Sequence, residues 1–405
     1  MLQTPATPFV VEKVLGKWDQ LLNWLLAFSL CASSCTSFRS RGTVGVGEMP
    51  LILWFALAVG TAIFYAKKQQ FPIRAGGYFA LFILLSDIAL LLGLSKGHGE
   101  VGSTSWRGLL AYNYALLGPA LFLILPSLNR RMAHLRHAWC WSGGTFFLIL
   151  WSAYQVLPMF RKRLLFYNYR FSGLCLNPNQ TALFLLLLPV LISQTPKTSR
   201  PRTAIICGLI WIGFATGSDA LILSWLVLAL CQILYRVWRA PSRSTITTFG
   251  TCFLLITIIW ASKPSSVRAP SDFLTTVGPG ENISTRWTLA SNGLRALSDS
   301  WLVGWGPGAF SGEKSPFQNF EAHNSFIDWA TNTGVMGLTL YTLLLYWIAK
   351  TIHRSSLKSL WMMLPLLLFS SFHFTFRHPF YWFSLLLCGE TAIPSSPRSP
   401  SSPEE

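Results

Sequence analysis

The sequence predicts an all-α integral membrane protein with about twelve transmembrane helices, and three observations carry that reading. Of 405 residues, 52% are hydrophobic and only 12% are charged, about half the charged share of a soluble domain. Apolar runs long enough to cross a bilayer recur along most of the chain. Between them the Lys and Arg residues fall in short clusters. On a soluble chain a net charge of +17 would point to nucleic acid; here the placement is that of topology signals. Membrane lipids, and no nucleic acid, are the expected surroundings.

A span needs roughly 17–25 mostly apolar residues. By that measure spans lie near Leu21–Ser37, Leu51–Ala66, Gly77–Leu94, Leu109–Leu128 and Gly143–Phe160. Four more lie near Leu174–Ser193, Thr203–Gly217, Ala220–Trp238 and Thr245–Ser262. The last three are near Val335–Ala349, Ser359–Phe374 and Pro379–Glu390. The chain then divides into N-terminal helices (1–262), an outer loop between spans nine and ten (263–332), C-terminal helices (333–390) and a Pro/Ser-rich tail (391–405), whose composition predicts disorder. The N-terminus shows no cleavable signal, because no small-residue site follows the first apolar run. None of the eight cysteines has metal-ligand or disulfide-framework spacing; no metal and no cofactor is expected.

Basic clusters follow every second span: Lys67, Lys68 and Arg74; Arg130, Arg131 and Arg136; Lys197, Arg200 and Arg202; Arg236, Arg239 and Arg243; Lys350, Arg354 and Lys358. The positive-inside rule puts those loops and both termini in the cytoplasm, and the loop after span nine outside. One cluster breaks the alternation: Arg161, Lys162, Arg163 and Arg170 follow span five. Either a span is miscounted, or these charges meet an anionic ligand on the outer side. Asn177-Pro178-Asn179 then leads into the next helix, where Pro suits the first turn and Asn179 is placed to cap it.

The stretch from Glu281 to Leu338 concentrates Gly, Asn, Arg, Asp and one His between apolar segments. His323 is the side chain best matched to taking a proton near neutral pH. Asn324 and an apolar helical pattern follow it, and the positive end of such a helix keeps an imidazole neutral. A loop histidine bonded to backbone is the alternative. Arg286 opens RWTLASNGLRAL; a guanidinium there runs against the helix dipole but grips phosphate bidentately. A surface arginine near lipid headgroups is its alternative. Gly304, Gly306, Pro307 and Gly308 form a tight turn that lets backbone approach another segment or a sugar; it is not a nucleotide-binding loop.

The order Arg286-Trp287, Leu302-Val303-Gly304-Trp305-Gly306-Pro307-Gly308, His323-Asn324 and Gly334-Val335-Met336-Gly337 resembles the O-antigen ligase/polymerase superfamily. Motifs cover roughly the C-terminal 230 residues, and topology alone the rest. The resemblance implies a GT-C-like, metal-independent glycosyltransferase of a bacterial inner membrane with its site facing the periplasm. The donor would be a glycan on undecaprenyl diphosphate, the acceptor lipid A–core or another glycan. Carried over, Arg286 holds the donor diphosphate, His323 is the base or orients the acceptor, and Asn324, Gly306 and Gly308 shape the substrate site. Arg170, Arg161, Arg163 and Asn179 join them as substrate-binding candidates.

One departure stands out. The family commonly has Ser-Arg at the turn between spans seven and eight, where this chain has Thr216-Gly217-Ser218-Asp219-Ala220. Either the alignment slips there, or Arg170 or the 161–163 cluster supplies the charge, or Asp219 does other work. A polymerase of the same superfamily is the neighbouring alternative to a ligase. A transporter of lipid-linked glycans or other anions, using Asp87 and Asp219, is the alternative from another class, and a non-catalytic scaffold a third.

Overall fold

Asn177 and Asn324 show how local chemistry starts these helices. Asn177 Oδ1 accepts the Asn179 amide at 2.8 Å, and Pro178 occupies the first helical position, where its missing N–H costs nothing. Asn177, not Asn179, is therefore the cap; Asn179 turns its side chain elsewhere. Asn324 caps α10, accepting from Phe326 N at 3.0 Å and Ile327 N at 3.2 Å.

The computed structural model describes residues 8–38, 45–66, 73–95, 103–125, 127–157, 166–167, 170–194, 201–239, 283–308, 311, 321–352 and 357–388. Among these the protein is a helical bundle. In chain order the helices are α1 (Pro8–Ala32), α2 (Met49–Ala66), α3 (Ile73–Ser95), α4 (Ser103–Ile124), α5 (Leu128–Val156), α6 (Pro178–Gln194), α7 (Pro201–Ala215), α8 (Asp219–Arg239), α9 (Ile283–Asp299), α10 (Ser325–Trp347), α11 (Leu357–Ser370) and α12 (Pro379–Leu387). A small antiparallel ladder pairs β1 (Phe166–Tyr167) with β2 (Arg170–Phe171). Helices underlie the expected spans except the ninth, Thr245–Ser262, which lies outside the described residues, as do Arg161, Arg163 and the tail.

Among the described residues two segments suffice, by length and composition, to cross a membrane: Gly76–Ser95 in α3 and Trp106–Ile124 in α4. Shorter apolar helices accompany them in α2, α6, α7, α8 and α11. Large apolar side chains such as Leu53, Leu84, Leu110, Ile149 and Leu343 face outward, as a lipid-facing surface requires. At the centre sits α12, buried along its whole length and packed on α4, α5, α6 and α11. Phe380 there lies 4.6 Å, ring to ring, from both Trp139 and Phe184.

Three boundaries differ from the hydropathy reading, each for a tertiary reason. α5 begins at Leu128 rather than Gly143, so Arg130, Arg131 and Arg136 are helical and not in a loop. Arg131 is 1% exposed and pairs with Asp19 on α1, while Arg136 donates to the last carbonyl of α12, that of Leu387. α1 starts at Pro8, ahead of its apolar run. α10 starts at Ser325, ten residues before the apolar run at Val335, because its first turns are held by polar bonds rather than by lipid.

Candidate functional site

The polar connections gather at one end of the bundle, and a kink in α10 organises them. Gly334 breaks the helix with φ 67° and ψ −168°, a conformation open essentially to glycine alone. The kink frees two carbonyls and two amides of the α10 backbone. The segment from Trp301 to Gly306 takes all four: Trp305 N and Gly306 N donate to Thr331 O (2.8 Å) and Asn332 O (3.1 Å), and Val335 N and Met336 N donate to Trp301 O (2.8 Å) and Leu302 O (3.1 Å). The approach leaves no room for side chains. A Cβ on Gly334 would sit 2.2 Å from Leu302 O, and one on Gly304 2.5 Å from Asn332 C. On its other side the glycine turn meets α3, where a Cβ on Gly93 would lie 2.1 Å from Gly306 N. Gly306 thus approaches backbone on both sides, and Gly308 N donates to Asn332 Oδ1 at 3.0 Å.

His323 immediately precedes the α10 cap, with left-handed backbone at φ 53°. Asp328, buried one turn into the helix, accounts for that conformation. Its Oδ1 accepts from Ala322 N at 2.8 Å and its Oδ2 from Asn324 N at 3.3 Å, so one carboxyl grips the chain on both sides of His323. Burial first, and then the charge of Arg286, push the His323 imidazole down to about 4. The imidazole is neutral at pH 7, as the sequence predicts, but the cause is burial and an arginine rather than the helix end alone.

A second histidine, His373, was not legible as a site residue. It lies buried in the connection between α11 and α12. Ser325, the first residue of α10, draws that connection in: its Oγ donates to His373 O at 2.6 Å and accepts from Thr375 N at 2.8 Å. Burial, then the charges of Arg286, His323 and Arg170, hold His373 well below the usual histidine range. His373 thus feels the charges of Arg286, His323 and Arg170, each from a different segment, and His323 feels that of Arg286. Nearby, Arg377 pairs with Glu321 and stacks 4.6 Å from the Phe374 ring.

Arg170 reaches this cluster from β2. Its Nε donates to Thr216 O at 2.8 Å and its Nη2 to Asn179 Oδ1 at 2.9 Å, and it lies against Gly217. The structure therefore brings Arg170 to the Thr216–Asp219 turn, where the sequence lacks an arginine of its own. Asp219 is exposed in the first turn of α8, a favourable place for an acid on the helix dipole. The other acid of the transporter reading, Asp87, accepts from Asn113 Nδ2 at 2.9 Å between α3 and α4. Among the described residues no group of three or more His, Cys, Asp or Glu side chains is arranged to hold a metal.

A mainly helical bundle with outward-facing apolar surfaces and an arginine–histidine cluster at one end suits a membrane-bound protein. Comparison with known families makes this specific. The family described as O-Antigen ligase matches residues 203–342, from α7 into α10, and so takes in Arg286, the glycine turn, His323-Asn324 and the Gly334 kink. Over those residues the chain is similar to the O-antigen ligase superfamily, a membrane-bound family of ligase and polymerase type. No curated protein matches the chain.

Proposed function

We propose that the protein is a glycosyltransferase of the O-antigen ligase type, moving a glycan from undecaprenyl diphosphate to a lipid A–core hydroxyl at the periplasmic face of the bacterial inner membrane. The observation that carries the reading is that Arg286 acts on both His323 and His373, with Arg170 acting on His373 as well. A diphosphate is already a good leaving group, so the reaction asks for cations to bear its charge rather than for a strong acid. Arg286 and Arg170, the latter oriented by Asn179 and Thr216, fit that task.

In this reading His323 takes the acceptor hydroxyl proton as the acceptor oxygen attacks the sugar carbon. The bond from that carbon to the phosphate oxygen breaks, and undecaprenyl diphosphate leaves with its electron pair. A base held down to about 4 is weak while the site is empty. A bound diphosphate would offset the Arg286 charge and raise the imidazole toward its ordinary value, so the base gains strength when the donor is in place. Arg161 and Arg163 remain candidates for further contacts to the glycan or its carrier, with Asn324 fixing the start of α10 behind His323 and Gly306 and Gly308 seating the glycine turn against α10.

The test is a transfer assay on the purified protein in lipid, with undecaprenyl-diphosphate-linked repeat units and lipid A–core. Glycan on lipid A–core is expected, falling about 10²–10⁴-fold in His323→Ala and strongly in Arg286→Ala, with both variants still membrane-inserted. Longer chains on the carrier would mean a polymerase. Parental transfer by His323→Ala would sink the mechanism.

A further inference from the structure

Helix α9 carries Arg286 on the side that meets α10, where Leu289 is buried and a Cβ on Gly293 would lie 2.7 Å from Ile327 Cγ2. Its remaining surface has two chemically different edges. Trp287 and Leu294 are 75% and 56% exposed; residues seven apart on a helix lie within about 20° of each other, so they form one apolar edge. Thr288, Arg295 and Asp299 are exposed too, and each lies about a quarter-turn or more further round, forming a polar edge. One face on protein, one edge apolar and one edge polar is the pattern of a helix lying along a bilayer surface.

A second observation fixes which surface. Beyond α9 the chain continues through Trp301 and Leu302, 61% and 52% exposed, into the glycine turn. That turn is clasped by the end of α3 at Gly93 and the start of α4 at Gly108, the latter within 3.2 Å of Pro307 for a Cβ. Among the described residues these are the two helices of membrane length, and their Leu84, Leu91, Trp106 and Leu110 face outward. The turn that follows α9 thus ties this part of the chain to the mouth of two membrane-length helices, a level where tryptophan is favoured.

We propose that α9 is an interfacial helix, with its Trp287–Leu294 edge among the phospholipid headgroups and its Arg295–Asp299 edge in water. Its consequence, which rests on the donor-binding reading above, is that the bilayer sets Arg286 at the depth of a lipid-linked diphosphate. The test places the photoreactive residue p-benzoylphenylalanine at position 294 or 295 of the full-length protein in phosphatidylethanolamine/phosphatidylglycerol vesicles. After illumination, peptide mass spectrometry should find phospholipid adducts at 294 at least fivefold above those at 295. Equal labelling at both positions, no lipid adduct at 294, or an adduct from 294 to another part of the chain or to a second copy would each overturn it. The crosslink needs no turnover, so a protein that labels lipid but transfers no glycan removes the functional reading and leaves the interfacial helix standing.

Discussion

Replacing Asp328 by Asn removes one of the two carboxyl oxygens that hold the backbone on either side of His323. In the parent these oxygens accept from Ala322 N at 2.8 Å and Asn324 N at 3.3 Å, in a buried setting. The amide keeps one acceptor and turns an NH₂ toward the other backbone N–H, leaving that N–H without a partner, at a cost of about 1–3 kcal/mol. His323 stands at φ 53°, and a left-handed conformation costs an L-residue roughly 1–2 kcal/mol. The two figures are of the same size, so in the variant the native His323 backbone competes with relaxed alternatives. About 1.4 kcal/mol of lost positioning is tenfold in rate. We expect kcat for glycan transfer to fall about ten- to hundredfold in Asp328→Asn and further in Asp328→Ala. Donor KM should stay within about threefold, because Arg286 and Arg170 sit on other segments. Steady-state transfer kinetics and a thermal melt on the same preparations measure this. Parental kcat, or a loss that appears only in KM or in the melting temperature, would refute the positioning argument.

Two further predictions come from the same region. Gly334→Ala puts a Cβ 2.2 Å from Leu302 O at positive φ; strain of order 1–3 kcal/mol, with loss of the interleaved bonds, should lower the melting temperature by several degrees. An unchanged melt would mean that the kink is not as described. For pH, His323 is held down to about 4 against an ordinary 6.5. The folded state then binds fewer protons than the unfolded chain, so the His323 contribution to stability is complete above about 6.5 and is lost as pH falls toward about 4. Transfer at limiting donor should likewise be level from neutral pH to about 5 and decline below, and Arg286→Gln should move the decline upward. A midpoint near 6.5 in the parent would contradict the buried setting.

Some of the site was legible because its signals are local. The apolar pattern of Phe326, Ile327 and Trp329 reads as a helix start just after His323, and α10 begins at Ser325. The glycines of the 304–308 turn announce a close approach, though not that its object is α10 and α3. Asn179 misleads because Asn177, two residues earlier, caps instead, which leaves the Asn179 side chain for the Arg170 guanidinium nine residues back.

Hydropathy, charge clusters and motif order by themselves determined that this is a helical membrane protein and pointed to His323 and Arg286, since each of these depends on neighbours along the chain. Only the tertiary structure decided the rest. His373 sits in a stretch that reads as the end of a span, and it enters the cluster through Ser325, 48 residues away. Arg131 reads as a loop charge until Asp19, 112 residues earlier, is found beside it. Arg170 reaches the Thr216 turn across 46 residues. A polar side chain in an apolar bundle goes where a partner can satisfy it, and the partner's position is set by helix packing that no local pattern encodes.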